Sequence, residues 1–299
     1  MILAGIELGG TKTIAALGDA GGNIIESVRF ETTSPDKLID RVCNYLVLKS
    51  SSLGPICGVG VGAFGPVVVN PRASNYGRLL KTNKSGWSGF DLAGSLAHRL
   101  PVPLALVTDV AAAGIAEARL GHLRGIELGL YLTIGTGIGG ALLHNGQPLP
   151  ALLHPEMGHL PLRRHPDDAT PSACTFHSDC AEGLAAGPAI MARCGAWLSH
   201  FPPDGPEYHL VADYVGQLLA SFQLSVSPQR IVIGGGVAQA AGLMDLIGKA
   251  MQTHLGGYVE CDFHDPDFLV SPKLGGDAGV TGALLAAAAA ADNEKRDWM

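Results

Sequence analysis

The sequence predicts an α/β protein built from two similar halves. Two observations carry that expectation. Short apolar segments that read as strands alternate with longer stretches of helical periodicity along the 299 residues. A strand, a glycine turn and a second strand also occur in each half, at residues 9–12 and again at 135–137. Glycines let backbone N–H groups and a threonine hydroxyl approach phosphate oxygens. The pair of turns therefore suggests a duplicated domain that grips phosphates from both lobes.

The elements follow in order. Residues 2–8 and 13–17 read as strands around Gly9, Gly10, Thr11 and Lys12, and a turn at 19–22 leads into a third strand at 23–31. Ser34, Pro35 and Asp36 mark a helix start before the periodic stretch 38–49. A buried strand at 56–61 runs into Gly62, Ala63, Phe64, Gly65 and Pro66, and residues 70–90 read as loop. A helix at 91–99 and a strand from 103 ending on Asp109 precede a helix at about 111–120, where a hinge between the halves is expected. The second half begins with a strand at 128–134, the glycine turn, a strand at 141–144 and a tight turn at Asn145 and Gly146. Helices are expected at 183–198 (interrupted near Gly187 and Pro188), 208–226, 242–254 and 279–291, with strands at 230–233 and 268–272 and a glycine turn at 234–236.

Composition narrows the function. A net charge of −7 without a basic run argues against nucleic acid or an anionic membrane as partner. The alanine-rich run 283–291 is too short to span a bilayer and reads as a packed helix. No basic, apolar leader opens the chain, and six cysteines do not suggest a disulfide framework, so a cytoplasmic protein is expected.

Residues 154–183 form a polar segment rich in potential metal ligands. Cys174, His177 and Cys180 fall in a Cys-x2-His-x2-Cys pattern, and His159 precedes them. That Cys2His2 set matches a closed, tetrahedral structural zinc site. The cysteines could instead be free thiols, but a loop this polar needs something to hold it. A catalytic zinc hydrolase fits less well. His154 and His159 are five apart with Pro155 between them, so they share no helix face. Four protein ligands also leave no open position on the metal. Glu156 and Glu182 flank the cluster and would be drawn together by it. On this reading a structural zinc shapes a polar substrate pocket, and removing it releases residues 159–182 while the glycine turns, which lie outside that loop, are affected far less.

Two letter-matches to nucleotide motifs fail on context. Gly135-x-Gly-x-x-Gly140 has the dinucleotide spacing, as does Gly60-x-Gly-x-x-Gly65, but a strand rather than a helix is expected after Gly140. Thr11 separates Gly10 from Lys12, so the first turn is not a P-loop.

The stretches from Ile6 to Lys12, Gly62 to Pro66, Thr108 to Val110, Ile134 to Gly137, His154 to His159, Arg164 to Asp168 and Glu182 onward resemble the ROK family of bacterial sugar kinases. Within it the chain is most similar to the fructokinases, over residues 2 to about 290. The resemblance implies two actin/hexokinase-like (ribonuclease H-like) domains with ATP and a hexose in the cleft between them. The expected lobes are residues 1–112, with a C-terminal helix at about 280–293 packing back on them, and 113–279, carrying the zinc insertion 154–183.

The resemblance also implies roles. Asp109 would be the general base. Gly9, Gly10, Thr11 and Lys12 would hold ATP phosphates, with Gly135, Thr136 and Gly137 on the other side, while Pro188, Gly234, Gly235 and Gly236 would line the adenosine site. Gly65, Asp109, Glu156, His159 and Glu182 would bind the sugar. Glu7 would hold Mg²⁺ through water, and His159 would serve both zinc and sugar. The chain departs from the family pattern at Ala111, where asparagine is usual, and at Ala63, where serine is common. The implied reaction is transfer of the γ-phosphate of ATP to the 6-hydroxyl of D-fructose, or of glucose or mannose, by a homodimer. A sugar-sensing repressor is the competing class, but a strand at residue 2 leaves no room for a DNA-binding module before it.

Overall fold

The computed structural model describes residues 1–259 and 265–292. The chain forms two compact units, one of residues 1–124, 146–155 and 274–299, the other of 125–145 and 156–273.

In the first unit, β1 (Ile2–Leu8), β2 (Lys12–Gly18), β3 (Ile24–Glu31), β4 (Ile56–Ala63) and β5 (Leu104–Thr108) lie in the order β3-β2-β1-β4-β5. The first three strands pair antiparallel, and β1–β4 and β4–β5 pair parallel. β1 and β2 are paired on both sides and are buried along most of their length. The edge strand β3 alternates half-buried and exposed positions, as a sheet with one solvated face requires. Asp19 shapes the β2–β3 turn by accepting from the N–H groups of Gly21 and Asn23.

Helix α1 (Pro35–Leu53) takes its proline in the first turn, where the missing N–H costs nothing, and buries Leu38, Ile39, Val42 and Leu46. It runs four residues beyond the expected end, until Gly54 at φ 114° stops it. α2 (Leu92–Arg99) is capped by the Asp91 carboxylate, which accepts from Gly94. α3 (Asp109–Leu120) contains the stretch where a hinge was expected as continuous helix.

The second unit carries β6 (Leu128–Ile134), β7 (Ile138–His144), β9 (Arg230–Gly234) and β10 (Leu269–Val270), in the order β10-β9-β6-β7. β6 and β7 pair antiparallel, and β6–β9 and β9–β10 parallel. The two-residue strand β8 (Gln147–Pro148) follows the turn at Asn145 and Gly146. The expected helix 183–198 is two helices, α4 (Ala181–Ala185) and α5 (Gly187–Cys194), with Ala186 extended between them. Pro188 explains the break, because its ring excludes the carbonyl four residues upstream in a continuous helix. α6 (Pro206–Ser225) and α7 (Leu243–Leu255) cover the sheet and bury Tyr208, Tyr214, Leu218, Ile247 and Met251 against Leu130, Leu132 and Ile233.

α8 (Ala278–Asp292) returns to the first unit and packs on β1, β4 and α3. Its alanines and the facing glycines bring backbones into contact. A Cβ at Gly60 would overlap the Ala283 carbonyl, and one at Gly282 the Ala112 carbonyl. Residue 293 of the expected C-terminal helix lies outside the described residues.

Candidate active site

In the first unit the β1–β2 turn is built to hold its shape while leaving its outer side open. The Gly9 N–H donates to the Lys12 carbonyl at 3.0 Å, and a Cβ on Gly9 would stand 2.8 Å from that oxygen. A Cβ on Gly10 would meet nothing within 4 Å. Thr32, buried and absent from the sequence-based assignment, braces the turn from behind. Its hydroxyl donates to the Gly9 carbonyl at 2.8 Å, its N–H donates to the Thr11 carbonyl at 3.0 Å, and Thr13 lies 2.8 Å from its hydroxyl. The carbonyls of Gly9, Thr11 and Lys12 are thereby all engaged in hydrogen bonds.

Glu7, near the end of β1, sits among acidic neighbours. Burial pushes its carboxyl above the ordinary range; Lys12 and the Val280 N–H oppose that, and the charges of Asp109 and Asp277 add to it. Its Oε2 is buried and has no hydrogen-bond partner among the described residues. Gly279 leaves room for it, since a Cβ there would lie 2.5 Å from the Glu7 Cδ. An orphaned buried oxygen in an anionic group suits a hydrated hard cation such as Mg²⁺.

Asp109 is the first residue of α3 rather than the last of a strand. The preceding Thr108 has extended backbone and its hydroxyl accepts from the Ala111 N–H at 3.1 Å, so it is the N-cap and the helix begins one residue later. The cap requires nothing from the side chain at 111, where this chain has alanine. Ala63, fully buried, ends β4 beside Thr108. Gly65 follows, in a cis peptide with Pro66, after Phe64 donates its N–H to the Leu8 carbonyl at 2.8 Å.

In the second unit three glycine segments that are distant in sequence converge. The Gly187 N–H at the start of α5 donates to the Gly135 carbonyl at 2.8 Å, which places Pro188 in the same helix turn. The Val237 N–H donates to the Ile134 carbonyl at 3.0 Å, and a Cβ on Gly135 would lie 3.9 Å from the Gly236 nitrogen. Gly235 adopts φ 93°, and a Cβ there would collide with Ile134. The 135–137 turn, the 234–236 turn and the start of α5 thus form one glycine-lined surface.

The same unit gathers His159, Cys174, His177 and Cys180, one donor atom from each lying within 4.8 Å of all the others. Cys174 Sγ is 3.7 Å from His159 Nδ1 and 3.6 Å from His177 Nδ1, and Cys180 Sγ is 3.6 Å from His159 Nδ1. A tetrahedron with zinc–sulfur bonds of about 2.3 Å and zinc–nitrogen bonds of about 2.0 Å sets sulfur and nitrogen about 3.5 Å apart. The four residues therefore fit zinc. Backbone N–H groups of Phe176 and Gly183 donate to Cys174 and Cys180 at 3.4 Å each, which stabilises sulfur that carries charge. Burial pushes the Cys180 thiol up to about 11, with Cys174 adding to the rise, so ionising it calls for a cation at the centre.

His159 presents its other nitrogen, Nε2, 3.8 Å from Glu182 Oε1. Glu156 caps the short 3₁₀ turn Met157–His159, its carbonyl accepting from the His159 N–H at 3.0 Å. Beneath the loop lies an ionic network that sequence reasoning only half located. Asp168 is buried and accepts from Arg193 Nη2 at 2.8 Å, the Tyr214 hydroxyl at 2.7 Å and the Thr170 N–H at 3.1 Å. Arg164 reaches Asp179 at 2.7 Å. Arg193 and Tyr214 stand on helices whose periodicity signals only core, so no pattern marks them.

Paired α/β units, each with a glycine turn joining its first two antiparallel strands, define the actin/hexokinase-like class. The ROK family model matches residues 3–290. The chain is 35% identical over 293 residues to a fructokinase of Pediococcus pentosaceus, covering 98% of this chain and 100% of that one. It is 25% identical over 315 residues to a glucokinase of Halalkalibacterium halodurans, covering 93% and 92%. Among solved structures, the ROK hexokinase from Thermus thermophilus superposes with a TM-score of 0.77 at 28% identity, over 96% of this chain and 98% of that one. The chain belongs to the ROK family, and it is a sugar kinase.

Proposed function

We propose that the chain transfers the γ-phosphoryl group of ATP to the 6-hydroxyl of a hexose, with D-fructose as the preferred sugar. The observation that carries the choice of sugar is the step in similarity, from 35% identity with a protein named fructokinase to 25% with one named glucokinase, each over nearly the whole chain.

In this reading Asp109 takes the proton of the 6-hydroxyl as its oxygen attacks phosphorus, a contribution of about 10²–10⁴ in rate. The remaining acceleration comes from positioning and charge neutralisation. Gly9, Gly10, Thr11 and Lys12 receive phosphate oxygens in one unit, as do Gly135, Thr136 and Gly137 in the other. The clustering of Gly234, Gly235, Gly236 and Pro188 around the second turn supports their assignment to the adenosine portion. Gly65, Glu156, His159 and Glu182 bind sugar hydroxyls, the carboxylates as charge-assisted acceptors. Mg²⁺, held through water by Glu7, would neutralise charge on the phosphates. Zinc on His159, Cys174, His177 and Cys180 would have no open position and would serve to fix the loop.

A coupled ADP-release assay over fructose, mannose, glucose and N-acetylated hexoses tests the proposal. The highest kcat/KM is expected with fructose, and a maximum with glucose or mannose would overturn the choice of sugar. Absence of turnover with every hexose would overturn the assigned reaction.

A further inference from the structure

Glu182 belongs to two parts of the second unit at once. It is the second residue of α4, whose N-cap is the zinc-site residue Cys180. Its Oε1 faces His159 Nε2, while Nδ1 of the same ring faces both thiol sulfurs. Its Oε2 reaches in the other direction and accepts the N–H of Ile138 at 3.0 Å. Ile138 directly follows the 135–137 turn. Gly137 makes this contact possible, because a Cβ there would lie 2.5 Å from the same carboxylate oxygen.

The carbonyl end of Ile138 is closely approached by the same region. Gly158, adjacent to His159, packs so closely on it that a Cβ at 158 would overlap the Ile138 carbonyl. The N–H of one residue at the turn is therefore bonded to Glu182, two residues after Cys180, and its carbonyl packs against Gly158, one residue before His159. The turn N–H groups are useful to an anion only while their directions are fixed.

We infer that Glu182 is a positioning residue for the nucleotide's phosphates, and that the Cys2His2 knot sets nucleotide affinity through it. The inference rests on the reading above that the 135–137 turn receives phosphate. It departs from the expectation that the turn is independent of the loop.

The experiment compares wild type with Glu182→Ala, Glu182→Gln and Glu182→Asp, each confirmed to hold zinc. ADP affinity is measured by calorimetry and amide exchange over residues 133–140 by mass spectrometry. Glutamine keeps an acceptor oxygen at the same reach, so it is expected to bind ADP within a few-fold of wild type. Alanine lacks the acceptor and aspartate is one methylene short, so both are expected to lose about tenfold or more, the worth of a hydrogen bond to a charged group. Both should also expose the Ile138 amide to exchange. Alanine or aspartate variants that bind ADP like wild type, with unchanged exchange, would overturn the inference. If alanine does not fold, the order of glutamine over aspartate decides alone, and the reverse order refutes it. ADP must also protect residues 133–140 in wild type. If it does not, the phosphate assignment fails and the inference falls with it, whereas protection with no effect of Glu182 refutes the inference only.

Discussion

Replacing Arg193 by methionine keeps most of the side-chain volume and removes both donors to Asp168. The Asp168 side chain exposes none of its surface. Burial alone would raise its pKa, yet hydrogen bonds from Arg193, Tyr214 and Thr170 outweigh burial and hold it at about 2, against 3.8 for an ordinary aspartate. That difference corresponds to about 2 kcal/mol of stability at neutral pH. The sign follows from the depression. The contribution is complete above the unfolded value of 3.8 and is lost as pH falls through about 2. Arg193→Met leaves a buried charge with fewer partners, for which about 3–5 kcal/mol is the usual cost. Tyr214→Phe removes one bond to a charged acceptor and is expected to cost about 1.5–3 kcal/mol. The assay is urea unfolding of zinc-loaded protein at pH 7, repeated for wild type and Asp168→Asn down the pH scale. Acid also strips zinc, so the informative quantity is the gap between the two proteins, which should close between about pH 4 and pH 2. A gap that stays constant through that range, or an Arg193→Met protein as stable as wild type at pH 7, would refute the account of the network.

Other outcomes follow from single side chains. Asp109→Asn is expected to retain ADP binding and to lower kcat by about 10²–10⁴, while near-normal turnover would leave Asp109 a structural role only. Elemental analysis should find about one zinc per chain in wild type and none in Cys180→Ser. Glu117 is fully buried, with one oxygen accepting from the His122 N–H at 2.8 Å and the other from the Leu274 N–H at 2.9 Å. Glu117→Gln sets an amide NH₂ against a backbone N–H, and thermal unfolding should register a loss of about 1–3 kcal/mol.

Much of the fold was legible because its signals are local. The strands around both glycine turns and the helix start at Ser34, Pro35 and Asp36 announce themselves within a few residues. The grouping of Cys174, His177, Cys180 and His159 was legible because a shared metal would constrain both spacing and donor type, and the structure brings their donor atoms together. The misread boundaries have equally local causes. Asp109 was placed at the end of a strand because Thr108 suits either a strand end or an N-cap, and only backbone geometry separates the two. Pairing that depends on distant partners left no trace. Thr32 braces the first turn from 23 residues away, and Glu117 meets Leu274 across 157.

Gly137 shows why even a correctly located motif can be misread physically. A glycine after a strand suggests room for a phosphate, and that is how the sequence presents it. The nearest heavy atom that a Cβ would strike is instead a carboxylate oxygen of Glu182. The missing side chain makes space for a brace that arrives from the zinc loop. This changes the expected effect of chelation, because losing the metal at Cys180, the N-cap of α4, would loosen the acceptor of the Ile138 N–H as well as freeing Glu156 and Glu182. Stripping zinc from protein that keeps its circular dichroism should therefore weaken ADP binding together with sugar binding. An affinity for ADP that survives the loss of zinc would show that the turn keeps its shape without the brace.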